Sequence, residues 1–253
     1  MDPHPVSLTG RASGPGTSAG AADAALLADV TPGVTVAELF TDPPQPYLYP
    51  QEAEVVARAV GKRRREFATV RLCARTALAG IGVSPRPIPR GPSGAPAWPA
   101  GVVGSMTHCD GYRAAAVARS TSFAAIGIDA EPNLPLPAGV REKVTSAEER
   151  ESLDRLAAAH PAVAWDRLLF SAKESTYKMW FPLTGRWLDF DECVIVPDPE
   201  RGTFTSSLRV PGPMVDGRRI DTFTGHWRTL SRHGADHLAT MLAVPVGRAL
   251  RGR

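Results

Sequence analysis

Residues 126–132 read IGIDAEP, an apolar run that ends in two carboxylates, Asp129 and Glu131, one residue apart. With Phe123–Ala125 upstream, the run has the length and residue types of a strand. Residues i and i+2 of a strand project to the same side. Asp129 and Glu131 therefore point together, and the small Ala130, pointing the other way, leaves room around them. Two like charges this close repel. Either the strand end emerges into solvent, where acids are common, or a cation holds the pair. A hard divalent cation such as Mg2+ suits paired carboxylates, because it keeps some of its waters and takes further oxygens from phosphates.

Working outward, YRAAAVARS (112–120) reads as a second strand, and the short polar link to FAAIGIDA predicts a hairpin between the two. Further upstream, Val56, Val60, Phe67, Val70, Ala74 and Leu78 form the stripe of an amphipathic helix that Gly80 and Gly82 end. SPRPIPRGPSGAPAWPAG (84–101) is too rich in Pro and Gly for regular structure and is expected to be an extended loop. Downstream, Thr145 stands three residues before Glu148, a capping-box start for one helix. A second long helix is expected from Pro161 to about Phe181, with Pro182 as its stop. Its apolar stripe is Trp165, Leu168, Ala172, Thr176 and Met179, and Arg167, Ser171, Glu174 and Lys178 occupy the opposite face. The remainder, to HLATMLAVPV, alternates strand-like runs with Gly/Pro turns.

This order, helix then strands, twice over, predicts an α+β fold in two halves, residues 34–122 and 123–247. Residues 1–33, rich in Gly, Ala, Ser and Pro and without an aromatic residue, are expected to be a mostly disordered leader with a short helix at AADAALLADV. Residues 248–253 form a basic tail.

The chain has 253 residues, 43% hydrophobic and 22% charged, the balance of a soluble globular protein with a substantial core. No apolar stretch approaches a membrane span, and MDPHPVSLTGRASG has neither the basic start nor the apolar centre of a signal peptide. A cytoplasmic protein without membrane association is expected. Cys73, Cys109 and Cys193 are scattered, without paired CxxC spacing, so neither a disulfide framework nor a structural zinc site is suggested. The net charge of +3 is too small to argue for nucleic acid, but residues 51–90 hold nine Lys or Arg against three acids, an excess that marks an anion site.

Three further stretches bear on chemistry. In FSAKESTYK (170–178), Glu174 and Lys178 at i and i+4 are either a surface ion pair or an acid that binds metal or takes a proton beside a lysine that neutralises phosphate. In GSMTHCDGY (104–112), His108 lies among small and polar residues just before a strand, where a loop holds an anion, although a lone histidine is more often structural. KRRR (62–65) reads as a solvated charge run or a nucleic-acid patch. Alternatively, Arg64, Arg71 and Arg75 fall within about 40° on a helical wheel, a focused face for one polyphosphate.

GAPAWPAG, GSMTHCDGY, IGIDAEP and FSAKESTYK, in this order and spacing, resemble the motif series of the 4'-phosphopantetheinyl transferases of the surfactin-synthetase type, in their broad-range actinobacterial branch. The resemblance covers about residues 35–245. It implies transfer of the phosphopantetheine arm of coenzyme A to a serine of an acyl, polyketide or peptidyl carrier protein, with release of adenosine 3',5'-bisphosphate. It also implies two similar α+β halves about a pseudo-twofold axis, coenzyme A in the cleft between them, Mg2+ or Mn2+ as cofactor, and a monomer. By the match of motifs, Asp129, Glu131 and Glu174 are metal ligands. Glu174 and Lys178 are the catalytic pair, with Asp129 also facing the substrate. Arg63, Arg71 and Arg90 match coenzyme A contacts, Thr107 and His108 match contacts to the ribose 3'-phosphate, and Lys173 is a further nucleotide contact. Two positions depart from the pattern: Phe170 stands where many members have Trp, and Ala130 lies between the two acids.

The chemistry is coherent with these assignments. A pyrophosphate carries dense negative charge that the basic helix and a metal both offset, and in-line attack needs a deprotonated serine hydroxyl. Glu174, or a water held by Glu131, takes that proton. Two rivals share the ingredients: a metal-dependent nuclease, and a non-catalytic module using Lys62–Arg65 to hold nucleic acid.

Overall fold

The computed structural model describes residues 25–247. In chain order the elements are β1 (Thr35–Leu39), α1 (Pro50–Val55), α2 (Gly61–Gly80), β2 (Val102–Cys109), β3 (Tyr112–Arg119) and β4 (Phe123–Pro132). They continue with α3 (Arg141–Val144), α4 (Ala147–Ala159), α5 (Trp165–Thr184), β5 (Cys193–Asp198), β6 (Thr203–Leu208), β7 (Met214–Val215), β8 (Arg218–Arg219), β9 (Thr222–Arg232) and β10 (Ala235–Pro245). The fold is α+β, as expected. One antiparallel sheet has the order β1-β3-β2, a second the order β4-β10-β9-β6-β5, and β7 and β8 form a small ribbon.

Each large sheet is covered by one long helix. Cys73, Ala74, Ala77 and Leu78 of α2 pack on Ala115 and Val117 of β3, with Ile88 of the connecting loop closing the cluster. Leu168, Leu169, Ala172 and Met179 of α5 pack on Ile195, Phe204, Leu238 and Leu242 of the second sheet. A third cluster joins the sheets, with Tyr112, Ala114 and Ala116 meeting Ile126, Ile128, Ala239 and Met241.

The 112–120 and 123–130 runs are strands, but they do not form the expected hairpin. β3 lies between β1 and β2, whereas β4 leaves for the second sheet and pairs with β10. The turn signal that decides this is Asp110–Gly111. Gly111 has φ +74°, which favours glycine, so the tight hairpin joins β2 to β3. His108 therefore sits in a strand rather than in a loop.

The helix limits also move. Val60 is 75% exposed and precedes α2, while Val56 is buried at the end of α1, so the expected stripe is broken by a turn. The capping box is Ser146 with Glu149, because Thr145 donates its hydroxyl hydrogen to the Arg141 carbonyl instead. Pro161 lies in the turn before α5. The helix begins at Trp165 and runs through Pro182 to Thr184, ended by Gly185 at φ +67° donating to the Phe181 carbonyl. A proline in the last turn removes only one helix hydrogen bond, which explains why it does not stop the helix.

The expected leader must also be shortened. Leu26, Leu27 and Val30 are buried in the cluster that joins the sheets, held there because the Glu38 carboxylate accepts the amides of Leu26, Leu27 and Ala28. Residues 25–30 are bends and turns where a short helix was expected. The rest of the expected leader, residues 1–24, and the basic tail at 248–253 lie outside the described residues.

Candidate active site

A cleft cavity of about 670 Å3 lies between α2, the 90–98 loop and β2 on one side and the C-terminal half of α5 on the other. Arg63, Arg71, Arg90, Thr107, His108 and Lys178 all line it. The regular spacing of α2 turns Arg63 and Arg71 to one side, two turns and a fraction apart. Arg71 stacks on Phe67, its guanidinium carbon 3.4 Å from the ring centroid, and its buried Nε has no hydrogen-bond partner. Burial, with Arg90, Arg75 and Arg63 nearby and only Glu52 opposing, pulls Arg71 down to about 10, so it remains charged at neutral pH. Such uncompensated positive charge facing a cavity is the condition an anionic ligand relieves.

Arg63 donates to Nε2 of His108, which places the ring hydrogen on Nδ1. Burial first, then Arg63, Arg113, Lys178 and Arg71, lower the His108 pKa to about 4. Glu66, 3.8 Å from Nε2, pulls the other way but is outweighed by four cations. His108 is therefore neutral in the ligand-free cleft.

The expected acids, Asp129 and Glu131 of β4 and Glu174 of α5, are not among the residues that line this cavity; Glu174 borders a smaller pocket with Lys173 and Tyr177, and Lys178 links the cavity to the acids of β4. Lys178 of α5 donates to Asp129 Oδ1 at 2.6 Å, and Arg167, about three turns earlier on the same face of α5, donates to Glu131 Oε2 at 3.0 Å. Burial and then the Asp129 charge raise both the Glu131 and the Glu174 carboxyl above their ordinary values, against the pull of Arg167 and Lys178. Asp129 Oδ2 is buried and has no hydrogen-bond partner. Two carboxyls raised by a shared neighbour and one orphaned carboxylate oxygen describe unbalanced negative charge, which a divalent cation would offset. Among the described residues no group of three or more His, Cys, Asp or Glu side chains is placed to hold a metal ion. The unpartnered Asp129 Oδ2 is the donor that fits an ion, and with Glu131 Oε2 paired to Arg167 such an ion would take much of its coordination from ligand oxygens or water.

α5 reaches this position because Gly127 lets it. A Cβ on Gly127 would lie 1.9 Å from the Ser175 carbonyl oxygen and 2.8 Å from the Met179 amide nitrogen. The helix backbone rests directly on the strand, one residue pair away from Asp129, and this contact sets Glu174 and Lys178 over the acids.

Not every expected residue joins the cleft. Lys173 is buried and points away, donating to Glu149 Oε2 at 2.9 Å and to the Phe190 carbonyl at 2.6 Å. It ties α4 and the 190–192 turn to α5 instead of facing the cavity wall. Thr107 borders the cavity, but its hydroxyl is turned inward to β4. The KRRR run is not a free stripe either: Lys62 pairs with Asp110, Arg63 with His108, and Arg64 with the Val56 and Ala57 carbonyls. Conversely, Tyr177, Phe181 and Trp98 line the cavity without having been singled out, although Tyr177 and Trp98 stood inside the quoted KESTYK and GAPAWPAG stretches.

Comparison with known proteins bears on this arrangement. A family model described as the 4'-phosphopantetheinyl transferase N-terminal domain matches residues 51–118, and one described as the 4'-phosphopantetheinyl transferase superfamily matches residues 125–241. The 4'-phosphopantetheinyl transferase Svp of Streptomyces mobaraensis is 55% identical over 228 residues, covering 88% of this chain and 92% of that protein. The 4'-phosphopantetheinyl transferases Npt of Nocardia iowensis and PptT of Mycobacterium tuberculosis are 50% and 46% identical, covering 77% and 80% of this chain and 90% of each relative. With both family models accounting for the two walls of the cleft, the chain belongs to the 4'-phosphopantetheinyl transferase family, alongside these actinobacterial members.

Proposed function

We propose that the chain transfers the 4'-phosphopantetheine group of coenzyme A to a serine hydroxyl of an apo carrier protein and releases adenosine 3',5'-bisphosphate. The observation that carries this reading is a cavity lined by Arg63, Arg71, Arg90 and His108 and, from α5, by Lys178, whose ammonium reaches Asp129, a carboxylate with an unpartnered Oδ2. Arg63, Arg71, Arg90 and His108 bind and orient the nucleotide end. Asp129, Glu131 and Glu174 would hold Mg2+ or Mn2+, which would offset pyrophosphate charge. Lys178, bonded to Asp129, neutralises charge that gathers on the bridging oxygen as the bond between the transferred phosphorus and that oxygen breaks. Glu174 accepts the serine proton as the new phosphoester bond forms; burial and the Asp129 charge raise its pKa, which suits a base, as they also do for Glu131. Lys173 acts as a strut and makes no nucleotide contact.

The division into halves at residues 34–122 and 123–247, related by a pseudo-twofold axis, is supported by the parallel build of each: an antiparallel sheet covered by one helix of 20 residues, α2 or α5. A monomer follows from placing both walls of the cleft in one chain. All three cysteines are free thiols, which supports a reducing, cytoplasmic compartment. The test is to incubate the protein with coenzyme A, Mg2+ and an apo carrier protein and to weigh the carrier. A gain of one phosphopantetheine is expected. An unchanged mass across several carriers, where another transferase modifies them, would sink the reading.

A further inference from the structure

Sequence motif matching gives Thr107 a place on the nucleotide phosphate, but its hydroxyl is committed elsewhere. Thr107 is 3% exposed. Its Oγ1 accepts the Ala130 amide at 3.1 Å and donates to Asp129 Oδ1 at 3.2 Å. Two residues earlier on β2, Ser105 Oγ accepts the Ile128 amide at 3.1 Å. β4 is the last strand of its sheet, so these amides have no strand partner there. The two-residue period of β2 brings a hydroxyl to each second amide of β4, and the seam between the sheets is closed by side chains.

Of these two hydroxyls only that of Thr107 also touches a carboxylate. Accepting the Ala130 amide fixes its lone pair, which aims its hydrogen at Asp129. Asp129 Oδ1 then receives Thr107 and Lys178 together, while Oδ2 receives nothing and stays buried. A carboxylate held by two donors on one oxygen cannot rotate to offer the other geometry without breaking both bonds.

We propose that Thr107 is a positioning residue: with Lys178 it clamps Oδ1 of Asp129 so that Oδ2 is the oxygen presented to the divalent cation. This rests on Asp129 being a metal ligand in the proposed function. Thr107 thereby links the strand that carries His108, on the nucleotide side, to the strand that carries the acids.

The test reads Mn2+ affinity by electron paramagnetic resonance, with full-length protein and either coenzyme A or 3'-dephospho-coenzyme A present. Thr107→Val, of nearly the same shape, should weaken Mn2+ at least about tenfold, as removal of a group that orients a ligand does. The loss should be the same with both nucleotides, because no 3'-phosphate is involved. Thr107→Ser should keep wild-type affinity, and Ser105→Ala, which opens the seam without touching Asp129, should weaken Mn2+ less than Thr107→Val. A loss that disappears with the dephospho compound would make Thr107 a phosphate contact and overturn the inference. So would equal losses in Ser105→Ala and Thr107→Val, or wild-type affinity in Thr107→Val. If Thr107→Val does not fold, a weakened Thr107→Ser overturns it as well. Absence of Mn2+ binding by the wild type would instead remove the metal reading of Asp129 itself.

Discussion

Glu174 and Lys178 stand one helical turn apart, yet their surroundings give them opposite tasks. Lys178 has a carboxylate partner at 2.6 Å, whereas Glu174 is half-buried, and burial with the nearby Asp129 charge raises its pKa. Glu174→Gln should preserve the fold and coenzyme A binding but lower kcat about 10²–10⁴-fold, the range for loss of a positioned base, as measured by carrier modification alongside calorimetric coenzyme A binding. Weakened coenzyme A binding with unchanged kcat would assign Glu174 a binding task instead. His108 yields a pH prediction. Its folded pKa is depressed from 6.5 to about 4, so the stability it contributes is present above 6.5 and is lost as pH falls toward 4, where the unfolded chain takes up the proton first. Thermal unfolding of the ligand-free protein between pH 7 and 4 should therefore show a decline that is shallower in His108→Asn. The approach of Lys178 to Asp129 was legible because strand and helix periods fix which side each faces. The commitments of Lys173 and Thr107 were not: Lys173 is spent on Glu149 and the Phe190 carbonyl, and Thr107 borders the cavity with its hydroxyl bonded to β4, partners distant in sequence that periodicity does not reveal.

At the scale of elements, the glycine in IGIDAEP explains the motif better than its two acids do. Gly127 is where α5 touches β4, and the register of that contact determines whether Glu174 reaches Asp129 at all. Gly127→Ala would drive a methyl into the Ser175 carbonyl, too close for the helix to stay where it is. Overpacking of this kind costs about 1–3 kcal/mol, and a displacement on the order of 1 Å at a reacting group costs about 10²-fold in rate. The prediction is a lowered Tm together with a drop in kcat larger than that of an alanine placed at an equally buried site remote from α5. Equal effects at both sites would remove the argument. Lys173 and Glu149 form the second strut on this helix, buried to about 2% and 1% side-chain exposure. Removing one partner of such a pair leaves a buried charge, so Lys173→Met should destabilise by about 3–5 kcal/mol in urea unfolding while the folded protein still binds coenzyme A normally. Strands and helices were readable from apolar periodicity, but their pairing was not. Whether β3 pairs with β2 or β4 depends on Asp110–Gly111 and on which edges remain open, and hydrophobicity carries no information on either.

Over the whole molecule, the cleft depends on how two sheets are held together, and the chain uses its first described residues to do so. Leu26 and Leu27 are fully buried among residues of β3, β4 and β10, and Arg228 of β9 donates to the Ala28 carbonyl at 3.0 Å. The segment is anchored by Glu38 of β1, which accepts three of its amides and also the Tyr112 hydroxyl at 2.6 Å. Contacts to both sheets make residues 26–30 a strap across the seam, next to the hydroxyl bonds that Ser105 and Thr107 contribute from the other side. Composition concealed this: a stretch flanked by Ala, Gly and Pro looks dispensable, yet two adjacent leucines with a carboxylate to cap their amides suffice to order it. Leu27→Ala should cost about 2–5 kcal/mol through lost burial and the cavity left behind. Because the strap bridges the two sheets on which the walls of the cleft rest, the same variant should also weaken coenzyme A binding, measured well below its Tm. Destabilisation with coenzyme A affinity unchanged would show that the strap supports the core alone and that the cleft is set by the β2–β4 seam.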